Sequence, residues 1–323
     1  MTASARTWTY DVLAMGRSCI DLYAHQTGVP ITAVTSYDAY VGGCPTNVIV
    51  GSSRLGLKTV LLTAVGDDQV ADHVLHFLRR ERVETRFIPR KEGRRTSAVI
   101  VTIRPPDDFP LTFYRDNCAD DALTIDDVER SPIDESRVMF VTGTGMSRDP
   151  SRTATLWAAE KSRRHGASVV LDIDYRPVLW PDAATFGSAV RTLARMADVV
   201  IGTEQEVEAA ANQSDPAAAL RLLLELGPAA VVLKRGAAGA TIWRQGCPGM
   251  DVPPFGVDVL NTLGAGDAFA SGFLYGYLSG WPLERAARLG NASGAIVAGR
   301  HGCSISMPTF DEIETFIADR GGW

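Results

Sequence analysis

Short, nearly unbroken apolar runs recur along the chain, and through its second half amphipathic stretches of helical period separate them. The first run, YDVLAM from Tyr10 to Met15, has the length and uniformity of a strand buried on both faces and stops at Gly16. Thr59 to Val65 reads as another strand, GDD as the turn after it, and Val70 to Arg80 as a helix. Val138 to Thr142, Ser168 to Asp174, Ala197 to Ile201 and Ala230 to Lys234 continue the strand series. Helical spacing fills Ser151 to His165, Glu204 to Ala211 and Pro216 to Leu226. Strands and helices in this alternation predict an α/β fold with a central, largely parallel sheet flanked by helices.

Two regions depart from the alternation. Val29 to Val41 is rich in Thr, Val, Tyr and Ile, as short strands would be, and Thr96 to Ile103 forms a hairpin pattern with Leu111 to Arg115 across the loop signal PPDDFP. Segments near 17–41 and 96–115 are therefore expected to build a small β-sheet lid on a single domain spanning 1–323. The most apolar helix follows in NTLGAGDAFASGFLYG, where Phe269, Phe273 and Tyr277 make one stripe and Gly272, Gly276 and Gly280 a second that admits a close neighbour. This run is well short of the ~20 residues of a membrane span.

Composition narrows the class of partner more than the fold. The chain has 323 residues, 46% hydrophobic and 22% charged, enough for a large core and without bias toward disorder. Its 32 basic and 38 acidic residues give a net charge of −6 with no long basic run, which argues against nucleic acid or an anionic membrane as the main partner. Cys19, Cys44, Cys118, Cys247 and Cys303 are scattered without a CxxC pair, a usage that fits a reducing compartment rather than a disulfide framework or zinc site. The N-terminal apolar run is too short for a signal peptide, so the expected location is cytoplasmic. His73 and His76 have no further ligand nearby and are read as a solvated helix face.

Candidate chemistry concentrates in a few segments. Gly264 and Gly266 keep side chains away from the backbone where Ala265, Gly266 and Asp267 enter a helix, so amides there can hold a phosphate or the anion formed in its transfer. Asp267 is placed either to accept the proton of an attacking hydroxyl or simply to cap that helix. Asp21, just past the first strand, could contact a substrate hydroxyl or stabilise a turn. Gly42 and Gly43 allow a ligand near the backbone, and Asn47 could bind sugar hydroxyls or cap its helix. Arg115 is a candidate carboxylate anchor, or else a surface partner of Asp116 or Asp120. Asp172, Asp174 and Arg176 emerge together at a strand's C-terminal edge, and Gly236 and Gly239 could let phosphates lie on the backbone. Neither GxxxxGK[ST] nor GxGxxG after the first strand occurs, which disfavours a Walker-type kinase and a dinucleotide dehydrogenase.

With Gly42, Gly43 and Asn47 at the front and TLGAGDAFASGF (262–273) at the back, the chain resembles the ribokinase-like (PfkB) sugar kinases over nearly its whole length. YRDNCADDAL (114–123), DIDYRPVLW (172–180) and RHGCSISMPT (300–309) look like segments of that family's sugar-acid kinases of inositol catabolism. The resemblance implies transfer of the ATP γ-phosphate to the terminal hydroxyl of a six-carbon keto sugar acid, 5-dehydro-2-deoxy-D-gluconate, giving its 6-phosphate. It implies Asp267 as the base, with Gly264, Ala265 and Gly266 completing the anion hole. It assigns Asp21, Gly42, Gly43, Asn47, Arg115 and Arg176 to the substrate, and Lys234, Gly236, Gly239, Asn291 and Ser293 to ATP. Glu206 would reach Mg2+ through water.

Two positions depart from the family pattern. Asn261 stands where the family often has the Asp of a monovalent-cation site, so weak potassium activation is expected; Thr203 stands where it often has the Asn of an NxxE that ends here in Glu206. Neighbouring readings are a 2-keto-3-deoxygluconate kinase or a ribose or fructose kinase. A catalytically silent sensor is the reading from another class, which the intact Asp267 disfavours. The implied partners are a sugar acid and ATP, with no nucleic acid and no membrane, and a homodimer would form through the lid.

Overall fold

A computed structural model describes residues 7–104 and 108–323; positions 105–107, half of the PPDDFP loop signal, lie outside the described residues. The chain opens with β1 (Tyr10–Met15), β2 (Cys19–Ala24), β3 (Tyr37–Gly42), α1 (Cys44–Arg54), β4 (Thr59–Leu62), β5 (Val65–Gly66) and α2 (Gln69–Arg80). Then come β6 (Arg90–Lys91), β7 (Ser97–Val101), β8 (Leu111–Tyr114), α3 (Ile125–Glu129), β9 (Ser136–Thr142), α4 (Ser151–Arg164), β10 (Ser168–Asp172) and α5 (Ala183–Ala194). The remainder is β11 (Val199–Thr203), α6 (Glu204–Ala211), α7 (Pro216–Glu225), β12 (Ala230–Lys234), β13 (Ala240–Trp243), β14 (Met250–Val252), α8 (Ala265–Leu278), α9 (Leu283–Ala298) and α10 (Phe310–Ala318).

Eight strands make the main sheet in the order β14-β13-β12-β11-β10-β9-β1-β4. Neighbours from β4 through β12 are parallel, and β13 and β14 add an antiparallel edge. The strands read as apolar runs because both faces are covered. Val12 and Ala14 of β1 enter a core shared with α1, α2 and α8, while Leu13 and Met15 enter the opposite core with α4 to α7. Side-chain oxygens fix several helix starts: Asp68 accepts from the Ala71 N–H, Thr203 and Glu206 form a capping box, and Asp215 caps α7 ahead of Pro216. The α8 glycine stripe lies on α9, where a Cβ at Gly272 would sit 2.6 Å from Ser293 Oγ and one at Gly276 2.7 Å from Ala286. Gly280 stands past the helix end with no such neighbour.

A second sheet, ordered β3-β2-β7-β8, covers the C-terminal edge of the first. Its strands come from 19–42 and 97–114, with β7 and β8 as the antiparallel hairpin. Val29 to Val41 contributes one strand and a 3-10 turn at Ile31–Ala33 instead of several strands. Asp21 is not in a turn after β1 but in the middle of β2, opposite Tyr40 and Val99. The alternation of CIDLYA explains this, because Cys19, Asp21 and Tyr23 are its buried face. All five cysteines are free. Among the described residues no helix is long and apolar enough to cross a membrane.

Candidate active site

The turn from Gly264 to Asp267 separates two cavities. Gly264 caps α8 in the left-handed region (φ 82°), where a Cβ would also come within 3.0 Å of Cys303. The Ala265 N–H turns back to the Thr262 carbonyl at 3.2 Å. That leaves the N–H groups of Gly266 and Asp267, which have no intrahelical acceptor by position, as the candidates for an anion hole. Ala265 and Gly266 line a groove of about 450 Å³ together with Lys234, Gly236, Gly239 and Asn291. Gly264 and Asp267 line a cavity of about 50 Å³ on the other side, together with Arg17, Asp21, Asn47 and Arg176.

Asp267 is half-buried, and its Oδ2 accepts from Asn47 Nδ2 at 2.7 Å. Ser304 Oγ lies 2.7 Å from Asn47 Oδ1, its one proton shared with the Val41 carbonyl, and the acceptor-only carboxylate of Asp267 fixes the amide with its N–H toward it. Gly43, not Asn47, caps α1, so Asn47 is free to hold Asp267. Burial raises the Asp267 pKa above the usual carboxylate range, and the Asp174 charge adds to it, against the opposing pull of Asn47, Cys44 and Arg176. The result is a stronger base than a solvated aspartate. A Cβ on Gly42 would overlap the Asp21 carboxylate, so the glycine makes room for that side chain. Asp21 Oδ1 accepts from Cys19 Sγ at 3.0 Å, and burial raises its pKa while Arg17 draws it back.

The cations are distributed differently from expectation. Arg176 lines the cavity, 36% exposed along its side chain, with Nε donating to Asp174 Oδ1 at 2.9 Å. Arg115 is not among the residues lining it. Its guanidinium is buried and donates to Asp120 Oδ2 at 2.6 Å and to Asp121, because the 3-10 turn at Asp120–Ala122 folds both carboxylates back on it. It is therefore not a free anchor; the pairing with Asp120 that the sequence offered is present, but buried rather than at the surface. Arg17 occupies the cavity wall instead.

On the groove side Lys234 Nζ donates to Asp172 Oδ2 at 2.9 Å and lies 3.9 Å from Glu206 Oε2. A Cβ on Gly266 would be 3.3 Å from this ammonium, which places it directly under the anion-hole turn. Burial pushes Asp172 up to about 7, with Lys234 opposing. Burial disfavours the charge on Lys234 too, yet Asp172 and Glu206 hold its pKa above the ordinary ammonium value. Glu206 Oε2 accepts the Thr203 N–H at 2.7 Å in its capping box. Asn291 braces the groove wall by donating to the Pro253 carbonyl at 2.8 Å. Ser293 does not reach the groove: its hydroxyl donates to the Leu289 carbonyl at 2.9 Å, on the face of α9 turned to α8. Helical period separates it from Asn291 and Gly294, which do line the groove.

Among the described residues no three His, Cys, Asp or Glu side chains cluster as a metal cage. A divalent ion in the groove would rest mainly on phosphates and water, as Mg2+ commonly does. Three contributors escaped sequence reasoning: Arg17, Cys44 and Ser304. Cys44 lies inside the Gly42–Asn47 signature and Ser304 in RHGCSISMPT, but nothing there marked either side chain.

The sequence profile of the pfkB family carbohydrate kinases matches residues 10–310. The chain is 35% identical over 312 residues to the 5-dehydro-2-deoxygluconokinase of Geobacillus thermodenitrificans (strain NG80-2), covering 95% of this chain and 93% of that protein. An uncharacterized sugar kinase from Pyrococcus horikoshii, solved in complex with ATP, superposes with a TM-score of 0.81 at 27% identity, over 93% of this chain and 96% of that one. An E. coli protein described as a Ribokinase II, in complex with ATP and Mg2+, shares the fold with a TM-score of 0.88 at 24% identity, over 96% and 99% of the two chains.

Proposed function

The chain belongs to the pfkB family of carbohydrate kinases, and from that premise we propose that this sugar kinase phosphorylates a keto sugar acid, 5-dehydro-2-deoxy-D-gluconate, at its terminal hydroxyl. The product would be the 6-phosphate, in myo-inositol catabolism and in the cytoplasm. One observation carries the reading: a single turn, 264–267, faces the groove with Ala265 and Gly266 and the small polar cavity with Asp267. A phosphate in the groove and a hydroxyl in the cavity meet at that turn.

In this arrangement Asp267 accepts the hydroxyl proton, held in place by Asn47 and through it by Ser304. The Gly266 and Asp267 N–H groups donate to the phosphoryl oxygens as it moves, and Lys234 adds positive charge from below. Gly236, Gly239 and Asn291 border the groove that would take ATP. Mg2+, when bound with ATP, neutralises phosphate charge, and Glu206 is the carboxylate on that side, acting through water. Asp21, Asn47 and Arg176 direct polar groups at the sugar. A homodimer would use the outer face of the four-stranded sheet, where Tyr114 is exposed.

A coupled ADP-release assay across sugar acids and neutral sugars tests the reading. The expected outcome is highest kcat/KM for 5-dehydro-2-deoxygluconate. Equal or better turnover of ribose or fructose would overturn it.

A further inference from the structure

The cavity wall holds a cation that the phosphoryl-transfer chemistry leaves unused. Arg17 is only 8% exposed and shares the cavity with Asp21, Asp267 and Arg176. Its guanidinium lies 5.4 Å from the centroid of the Phe113 ring, and Nη1 donates to the Cys19 thiol at 2.9 Å. Nε is buried without a hydrogen-bond partner. Among the described residues no carboxylate lies within the 4.0 Å of an ion pair; Asp21 acts on Arg17 electrostatically from beyond that distance, with the Cys19 sulfur hydrogen-bonded to both.

The surrounding cations are each already matched. Arg115 has Asp120 and Asp121, Arg176 has Asp174, and Lys234 has Asp172. A guanidinium cannot relieve its burial by losing a proton, and a buried charge without a partner is costly. A planar fork with unspent donors on a closed wall fits an anion with two coplanar oxygens. The transferred phosphate is handled on the far side of the 264–267 turn, so the anion on this side belongs to the sugar.

We propose that Arg17 receives the substrate's carboxylate and so sets the preference for a sugar acid over a neutral sugar. The inference rests on the sugar-acid reading above. Arg17 also stands at the entry to β2 and against Phe113 of β8, so the bound carboxylate would tie the small sheet to the edge of the large one.

The test compares kcat/KM for the acid and for the analogue with CH2OH in place of the carboxylate, in wild type, Arg17→Met and Arg17→Lys. Arg17→Met should lower the value for the acid by a factor on the order of 30 to several thousand and that for the neutral analogue by less than about threefold, with Arg17→Lys in between. A wild type that favours the neutral analogue would defeat the sugar-acid reading itself. A wild type that favours the acid, with Arg17→Met keeping that preference, would overturn the role of Arg17 alone. A structure of the wild-type protein with the acid bound decides the matter even if Arg17→Met does not fold. A carboxylate oxygen at hydrogen-bond distance from the Arg17 guanidinium supports the proposal; a carboxylate held elsewhere with Arg17 untouched overturns it.

Discussion

The two sides of the 264–267 turn are made of different materials. The groove of about 450 Å³ is lined mostly by glycine, alanine, proline and backbone, and Lys234 is its single charged side chain. The cavity of about 50 Å³ carries four charged side chains, Arg17, Asp21, Arg176 and Asp267. Backbone and small residues suit a ligand with a large flat base and a chain of phosphates, recognised by shape and amides. Fixed charges at hydrogen-bond distance suit a small polyhydroxylated acid that must be told from its neutral relatives. The cavity as it stands is also far below the volume of an ordinary ligand pocket. The groove, by contrast, is of ordinary ligand-pocket size.

If charge on the cavity side does the chemistry, its removal should leave the groove intact. Asp267→Asn is expected to cut kcat by ~10²–10⁴-fold, the usual cost of losing general-base help, with nucleotide affinity little changed. Turnover near wild type would end the assignment. The acid limb of kcat/KM should fall at a pH above the ordinary aspartate value, because burial and Asp174 raise the Asp267 pKa. A carboxyl whose pKa is raised on folding supports the fold below its unfolded value of about 3.9 and loses that support as pH rises through the folded value. At pH 7 the ionised group therefore opposes folding. Asp267→Asn should melt no lower than wild type there, so the inactive variant stays folded.

Asp172 on the groove side also has a pKa raised by burial, but it differs in having a cation as its partner. It is fully buried where Asp267 is half-buried, and it is paired, with Lys234 Nζ at 2.9 Å. Asp172→Asn leaves a buried ammonium with only Glu206, 3.9 Å away, as counter-charge. Breaking such a pair costs about 3–5 kcal/mol, a drop readable by denaturant titration. A variant as stable as wild type would show that Glu206 or water compensates Lys234. Gly42→Ala addresses the cavity alone: the new methyl displaces the Asp21 carboxylate. KM for the sugar should rise at least about tenfold, the worth of one charged hydrogen bond, with KM for ATP unchanged. An equal change in both constants would mean that the two sides are not independent.

The same contrast governs what the sequence could show. Backbone-built parts are local, so Gly264 to Asp267, Gly236 and Gly239 are legible as short motifs. Strands and helices with one clean period are also legible: β1, α6 and β12 have the bounds that their patterns predict. Charge-built parts meet only in space. Asn47 and Asp267 are 220 residues apart, and no spacing rule links Arg17 to Phe113 or Ser304 to Asn47. For Arg115 the neighbouring Asp120 is legible as a partner, but nothing in the sequence shows Asp121 joining it or the pair being buried. The helix α9 is hidden for another reason. LERAARLGNASGAIVA contains two glycines, an asparagine and a serine, which favour other conformations, and the packing of Gly290 and Ser293 against α8 holds it helical.

The smallest effect expected concerns the loop that joins the two sides, between β14 and α8. Asn261 there is fully buried; its Oδ1 accepts the Leu263 N–H at 3.0 Å, and its Nδ2 has no partner. A bound monovalent cation needs oxygen ligands and negative field, and this side chain offers an unpaired donor rather than a carboxylate. Exchanging Na+ for K+ at fixed ionic strength should therefore change kcat by less than about twofold. Asn261→Asp should sharpen the effect, because a buried carboxylate gains a reason to hold the ion. Its melting temperature should rise with added KCl more than that of wild type. A strong, saturable K+ requirement in the wild type would show that the loop carbonyls suffice. The cation site would then belong with the backbone-built groove rather than with the charge-lined cavity.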